Sequence, residues 1–206
     1  MSTPEFDITA GEWHGRVWRL AAPMILSNLS VPLLGAVDTA VIGQLQEPYY
    51  LGAVAVAALI FTFIYWGFGF LRMGTTGLTA QAWGAGDSGE VRAILNRSLL
   101  IAALVGLVLI ILQRPIGGVA FSLLEASAKV EVNGEAYFSI RIWSAPAALG
   151  NYVVLGWFLG MQNAKVPLVL QVFLNSLNIA LDLIFVLVLD WQVEGVALAT
   201  VIAEYA

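Results

Sequence analysis

A series of long apolar stretches is the feature that most restricts the folds open to this 206-residue sequence. An α-helix needs about 20 residues to cross the hydrocarbon core of a bilayer. The predicted spans are residues 20–42, 51–71, 98–112, 136–159, 166–189 and 196–206. The last is only about half a span, so we expect the chain to be part of a larger protein. Because lipid offers no hydrogen-bond partner to an open backbone, the stretches predict an all-α, multi-pass membrane bundle.

The overall composition agrees with a membrane location. Hydrophobic residues make up 60% of the sequence and charged residues 11%, whereas soluble domains have about 25% charged residues. The chain has no cysteine, which excludes disulfides and thiolate chemistry. Its net charge of −5 argues against a nucleic-acid partner. We therefore expect membrane lipids around the protein and no nucleic acid, cofactor or bound catalytic metal.

The basic residues predict how the spans are oriented. One side of the predicted bundle carries Arg16, Arg19, Arg72, Arg92, Arg97 and Lys165. The other side carries Arg114 and Lys129, with Arg141 early in the fourth span. By the positive-inside rule, this imbalance places the N-terminus in the cytoplasm. Arg141 could balance an acid, but we expect its long side chain to reach back to the outer interface.

Two aspartates inside the apolar stretches are the first candidates for function. Asp38 lies in the first predicted span and Asp182 in the fifth. A carboxylate near the centre of a membrane helix costs about 2.5–3.5 kcal/mol on insertion scales, so such residues are rare unless they act. Both aspartates are therefore predicted to bind an ion or a proton.

A polar stripe on the fifth span leads to the second aspartate. Gln171, Asn175, Asn178 and Asp182 are spaced by four, three and four residues, which places them on one face of a helix. That face must meet protein or a water-filled cavity. Gln171, Asn175 and also Thr200 could instead serve only to hold helices together, a contribution of about 0.6 kcal/mol on average.

The predicted topology gathers residues from four spans near the outer side of the bundle. Tyr137 and Thr200 fall in the first turns of spans four and six, which both run inward. Asp38 and Asp182 lie near the outer ends of spans one and five. The predicted pocket contains Asp38, Tyr137, Asn178, Asp182 and Thr200.

Five segments, in order along the chain, resemble motifs of the multidrug and toxic compound extrusion (MATE) transporters. They are GAVDTAVIG at 35–43, TGLTAQAWGAGD at 76–87, GMQNAKVP at 160–167, NSLNIALD at 175–182 and EGVALAT at 194–200. The segments LSVPLLG at 29–35 and ATVIAEYA at 199–206 further resemble the bacterial branch named after DNA-damage-inducible protein F.

The resemblance implies a fold, an activity and a set of site residues. It implies a twelve-helix transporter of two six-helix lobes, of which this chain is the N-terminal lobe with an incomplete sixth helix and no C-terminal lobe. It also implies cation-driven export of amphiphilic, often cationic compounds across the bacterial inner membrane by alternating access. The cation site of the family corresponds here to Asp38, Asn178, Asp182 and Thr200, with Tyr137 nearby.

Other positions are candidates for a hinge or for the lining of the substrate cavity. They are Pro23, Leu34, Gln171 and Asn175. Pro23 is the predicted point at which the first helix bends. Leu34 departs from those family members that have a tyrosine one turn before the first aspartate, so a hydrogen-bond donor is absent there.

A proton-coupled exporter has four alternatives, one of which is a purely structural lobe with the transport site in the other half of the protein. Hard oxygen ligands also suit Na⁺, which leaves a Na⁺-coupled exporter open at the same site. A flippase of lipid-linked precursors would need several basic residues in the cores of the spans, and the sequence places almost none there. An intramembrane aspartyl protease would need Gly-x-Gly-Asp, whereas Ala-Val and Ala-Leu precede Asp38 and Asp182. We therefore predict a transporter and no enzymatic activity.

Overall fold

The computed structural model describes residues 10–45, 47–124 and 126–206. Within these ranges, it describes only the backbone of residues 10–13, 16, 20, 28, 30–36 and 38. These residues are almost entirely helical and include no strand. The helices are α1 (Ala10–Ile42), α2 (Tyr49–Gly67), α3 (Phe70–Gly84), α4 (Ser88–Ile111), α5 (Gln113–Leu124), α6 (Ala128–Arg141), α7 (Ala145–Gly160), α8 (Lys165–Asp182) and α9 (Gln192–Tyr205). A 3₁₀ turn, Ile142–Ser144, joins α6 to α7, and a π-helical segment, Leu183–Val188, extends α8. The predicted all-helical class is confirmed.

Four helical stretches in the described part of the chain are long and apolar enough to cross a membrane. They are Pro48–Gly84, Ser88–Ile111, Ala128–Gly160 and Lys165–Val188. Two of them join a pair of helices end to end, α2 with α3 and α6 with α7. The helix α1 has 33 residues and is continuous through Pro23.

Several helices begin or end well outside the predicted limits. The third span was expected from residue 98, but α4 begins at Ser88, where the side chain of Asp87 accepts a hydrogen bond from the backbone N–H of Glu90 at 2.9 Å. This N-cap gives a backbone N–H of the first turn its hydrogen-bond partner, so the helix can start among polar residues. The second span continues to Gly84, and the fourth begins at Ala128. Hydropathy marks the apolar centre of each helix and not the polar turns at its ends.

Close helix packing depends on glycines of α7. A Cβ atom on Gly156 would lie 2.6 Å from the carbonyl oxygen of Arg72, and one on Gly160 would lie 2.6 Å from Cβ of Thr79. Both contacts are with α3, against which α7 packs along its length. On the other side, a Cβ atom on Gly106 of α4 would lie 2.5 Å from Pro146. Small residues allow this backbone approach, as in other membrane helix pairs.

The apolar core lies between α2, α6, α7 and α9. The rings of Phe61 and Phe138 stack with their centres 5.1 Å apart, and Phe121 meets Phe138 edge-on at 6.2 Å. Large apolar side chains also cover the outer surface, including Phe63 and Trp66, which are 75% and 82% exposed. Such a surface suits contact with lipid and not with water. The packing places α8 between α1 and α9, where the polar stripe becomes buried.

Candidate functional site

The centre of the candidate site is a group of three residues on α8 and α9. Asp182 is 0% exposed and Asn178, one turn earlier, is 2% exposed. Thr200 of α9 is half-buried beside them. With its amide rotated to give each atom a complementary partner, Asn178 donates from Nδ2 to Oδ2 of Asp182 at 3.2 Å and accepts from the backbone N–H of Thr200 at 3.2 Å. In the other orientation Nδ2 points to Oγ1 of Thr200 at 3.4 Å.

The backbone changes character directly after Asp182. The α-helical hydrogen bonding of α8 ends there, and the next six residues, Leu183–Val188, form a π-helix. Short π-helical segments are frequent at functional sites because the wider turn alters the direction of neighbouring side chains. Periodicity alone did not indicate this change, since the apolar run continues without interruption.

The remaining residues of the polar stripe bond mainly to each other. Nε2 of Gln171 donates to Oδ1 of Asn175 at 2.9 Å, and Asn175 is buried. Gln171 also lines a cavity of about 210 Å³, together with Met24, Ser27, Arg72 and Tyr152. The predicted hinge residue, Pro23, is half-buried next to Met24. Gln171 thus borders a cavity, while Asn175 packs within α8.

Tyr137 is buried on α6 and lies deeper in its helix than expected. The extension of α6 to Ala128 puts Tyr137 about two and a half turns from the start of the helix, so the prediction that it falls in the first turn is wrong. Thr200 is likewise more than two turns into α9. The two helices pack against each other. Tyr137 therefore lies on an element that contacts the helix of Thr200.

Arg141 points into the bundle and does not extend to its outer end. Its Nη1 donates to the hydroxyl oxygen of Tyr137 at 2.7 Å, and the centre of its guanidinium lies 4.8 Å from the centre of the Phe61 ring. The predicted extension to the interface is therefore wrong. The reason is that the guanidinium finds a hydrogen-bond acceptor and an aromatic face inside the bundle.

Arg72, which was predicted to flank the connection between spans two and three, lies on a helix. It belongs to α3 within the stretch Pro48–Gly84 and lines the cavity that Gln171 borders. If Arg72 and Arg141 are left out, five basic residues lie on the side of the N-terminus and two on the opposite side. The positive-inside rule then still predicts a cytoplasmic N-terminus. The orientation itself stays a prediction.

Glu204 is a polar residue near the site that was not among the site residues predicted from the sequence. It lies one turn after Thr200 on the same face of α9 and is half-buried. Nδ2 of Asn151 donates to its backbone oxygen at 3.2 Å, and its carboxylate interacts electrostatically with Arg141. The rule that selected Asp38, a carboxylate in an apolar run, would also have selected Glu204.

Two predicted residues lie outside the part of the chain whose side chains are described. These are Asp38 and Leu34, both on α1. The backbone of α1 packs along α8, and Val41 and Ile42 at its C-terminal end are buried. Whether the Asp38 side chain joins Asn178 and Asp182 therefore remains a prediction.

Comparison with known proteins identifies the family. The family model described as MatE matches residues 23–184. The chain is 50% identical over 190 residues to DNA damage-inducible protein F of Escherichia coli (strain K12), covering 92% of this chain and 41% of that protein. It is 32% identical over 170 residues to the probable multidrug resistance protein NorM of Bradyrhizobium diazoefficiens, covering 79% and 34%.

A solved structure agrees with the sequence relatives. The outward-facing conformation of a multidrug resistance MATE family transporter of the MOP superfamily superimposes with a TM-score of 0.84 at 25% identity, covering 92% of this chain and 42% of that one. The chain thus spans about two fifths of the length of the E. coli relative and of this structure. The resemblance predicted from the motifs is confirmed. Because the family match covers most of its residues, the chain belongs to the MATE family, whose members are transporters and not enzymes.

Proposed function

We propose that this chain is the cation-binding lobe of a proton-coupled exporter of amphiphilic or cationic compounds in the bacterial inner membrane. The observation that carries the proposal is the complete burial of Asp182 in a membrane-spanning stretch, bonded to an equally buried Asn178. An acid there is costly, and a structural role would be served by an uncharged residue. The name of the Bradyrhizobium relative, probable multidrug resistance protein NorM, supports the class of substrate.

The proposed mechanism depends on the change of charge at the aspartates. Asp38 and Asp182 take up a proton from outside, which removes negative charge from a poorly hydrated site. The neutral site allows α1, which packs along α8, to change its position near Pro23. Export is coupled to proton entry if substrate and proton favour opposite conformations of the complete transporter. Gln171 and the adjoining cavity of about 210 Å³ then lie beside the part of α1 that moves.

Na⁺ coupling is the main alternative at the same residues. The groups that α8 and α9 bring together are a carboxylate, an amide and a hydroxyl. Their oxygens could bind Na⁺, and the same groups could also exchange a proton and hydrogen-bond to each other. In its satisfied orientation Asn178 presents an N–H, and not an oxygen, to Asp182, so it supplies no ligand to a Na⁺ ion there. An N–H donor supports a carboxylate but repels a metal ion.

One basic residue favours the flippase alternative, but this alternative remains weaker than the proposed exporter. Arg72 lines the same cavity as Gln171. It places a positive charge there that was not predicted from the sequence. Arg141 is already bonded to Tyr137 and interacts electrostatically with Glu204. A single available arginine does not provide the several positive charges that a pyrophosphate would need.

Transport by the reconstituted full-length protein tests the proposal. Export of a cationic dye under an inward pH gradient, with Na⁺ absent, should be lost in Asp38→Asn and reduced at least about tenfold in Asp182→Asn. Asp190→Asn is a matched control, because Asp190 is exposed and its positive φ of 55° is one that asparagine also adopts. Unchanged export by both site variants at equal protein level would contradict the proposal. Export driven by a Na⁺ gradient at fixed pH, with no response to pH, would assign the same site to Na⁺.

A further inference from the structure

We propose that the cavity between α1, α3, α7 and α8 binds a carboxylate group of the exported compound, and that Arg72 recognises this group. The inference rests on the proposed function and narrows its substrates to amphiphiles that carry a carboxylate, alone or beside a cationic group. The cavity has a volume of about 210 Å³, and Met24 of α1, Arg72 of α3, Tyr152 of α7 and Gln171 of α8 border it.

The size and the lining of the cavity suit one end of an amphiphile. Pockets for drug-sized ligands have volumes of about 300–1,000 Å³ and are mainly apolar, with a few polar groups that orient the ligand. This cavity is smaller, so it holds a part of such a molecule. Its apolar walls include Met24, Leu155, Leu159 and Pro167. A ligand that places a polar group among these side chains needs a polar partner there.

Arg72 determines which polar group the cavity favours. Among the described residues that line the cavity, Arg72 is the only charged one, and it is half-buried. Within the described part of the chain no carboxylate forms an ion pair with it, whereas Arg97 pairs with Glu90 at 2.9 Å. A guanidinium that is partly withdrawn from water favours an anionic partner, and its planar fork matches the two oxygens of a carboxylate. A single arginine suits the single charge of that group.

Two neighbouring side chains add hydrogen-bond donors. Arg72 interacts electrostatically with the hydroxyl group of Tyr152, so the two side chains lie near each other. Nε2 of Gln171 donates one hydrogen to Oδ1 of Asn175 at 2.9 Å, and an amide nitrogen has a second hydrogen. A carboxylate accepts several hydrogen bonds. It can therefore use the guanidinium, the phenol and the amide together.

The carboxylate of Glu204 does not take the place of the ligand. Glu204 acts on Tyr152 from α9, but the basic group that acts on Glu204 is Arg141. The charge of Glu204 is therefore offset within the protein. The charge of Arg72 is left for a bound anion.

The close approach of α3 and α7 fixes the backbone of Arg72. Its carbonyl oxygen accepts a hydrogen bond from Oγ1 of Thr76 at 2.8 Å, and Gly156 lets α7 come near the same oxygen. Tyr152 lies one turn before Gly156 on α7, so it is held at a level close to that of Arg72. Met24 adjoins the proposed bending point of α1. A change in α1 therefore alters one wall of the cavity, which links carboxylate binding to the proposed mechanism.

The test is the binding of two dyes to the purified full-length protein in detergent, measured by fluorescence anisotropy. Rhodamine B carries a free carboxylate, and rhodamine B ethyl ester has the same ring system without that charge. The wild type should bind rhodamine B at least about tenfold more tightly than the ester, because a hydrogen bond to a charged group contributes at least that factor. Arg72→Gln should abolish the preference and leave the affinity for the ester within about twofold. Arg72→Lys keeps the charge without the fork and should retain part of the preference.

Arg92→Gln is the matched control, because Arg92 is exposed on α4 and its Nε donates to the backbone oxygen of Ser88. It should leave both affinities unchanged. If Arg72→Gln does not fold, Tyr152→Phe takes its place, since it removes a donor and no charge; it should reduce the preference at least about threefold.

Three results would overturn the inference: a wild type without the preference, an equal loss of affinity for both dyes in Arg72→Gln, or the same loss of preference in Arg92→Gln. Binding in detergent needs no ion gradient. Failure of the full-length protein to export dye under a pH gradient, with the preference intact, would therefore contradict only the proposed function.

Discussion

Asn178 holds Asp182 by a hydrogen bond of 3.2 Å across one turn of α8, while its amide oxygen accepts from the backbone of Thr200 on the neighbouring helix. One buried amide thus orients the carboxylate and joins α8 to α9. Removing it should leave the carboxylate with fewer donors, which weakens its charged form.

Asn178 should matter far more than Asn175, although both lie on the same buried stripe. Asn178→Ala removes the donor to Asp182, and a buried group left without its partner costs about 1–3 kcal/mol. We expect export to fall about tenfold and its pH dependence to shift. Asn175→Ala removes only the partner of Gln171 and should leave the pH profile unchanged. Equal loss in the two variants would indicate that the stripe is a packing feature.

Replacing Thr200 should have a small effect if the ion is a proton. The hydroxyl of Thr200 donates to the carbonyl oxygen of Val196 at 3.1 Å. The group of Thr200 that donates to Asn178 is instead its backbone N–H. Thr200→Val keeps the branched Cβ and the N–H, and an interhelical hydrogen bond is worth about 0.6 kcal/mol on average, so proton-driven export should remain within about threefold of the wild type. A Na⁺ site would need the hydroxyl oxygen. Loss of export comparable to that of Asp182→Asn would therefore favour Na⁺.

The stability of the lobe should depend on Gly156. A methyl group there would meet the Arg72 carbonyl oxygen at 2.6 Å, and backbone cannot move away as a side chain can. Gly156→Ala should destabilise the lobe by about 1–3 kcal/mol, measured as thermal unfolding of the detergent-solubilised full-length protein. Gly77→Ala on α3 is the control, because nothing lies within 4 Å of a Cβ at that position. Equal melting temperatures for the two variants would contradict the proposed close approach of α3 and α7.

The orientation of the lobe can be tested with single cysteines. The chain has none of its own, so Gln44→Cys and Ser88→Cys can be introduced into a cysteine-free full-length protein. Both positions are exposed, one after α1 and the other at the start of α4. On intact cells, an impermeant thiol reagent should label Gln44→Cys and leave Ser88→Cys unmodified until the membrane is opened. The reverse pattern would place the N-terminus outside.

Local features of the chain were sufficient for the helical membrane class, for the family and for the polar stripe of α8. Hydropathy over about 20 residues and a spacing of three and four residues are properties of a single segment, so they can be read without knowledge of neighbouring helices. The stripe that ends at Asp182 is buried where α8 packs, as its polarity required. The Gly156-x-x-x-Gly160 spacing, by contrast, is common in a glycine-rich sequence, and only its approach to Arg72 and Thr79 gives it meaning.

By itself, the sequence determined that the chain crosses a membrane as helices, that it belongs to the MATE family, and that carboxylates and amides lie within the spans. Only the tertiary structure decided how deep each residue lies and which residues meet. It placed Arg141 on Tyr137 and not at the interface, placed Arg72 beside a cavity, and added Glu204 to the interior. The physical reason is that the ends of a helix and its depth depend on caps and on contacts with other helices, whereas hydropathy records only the apolar centre.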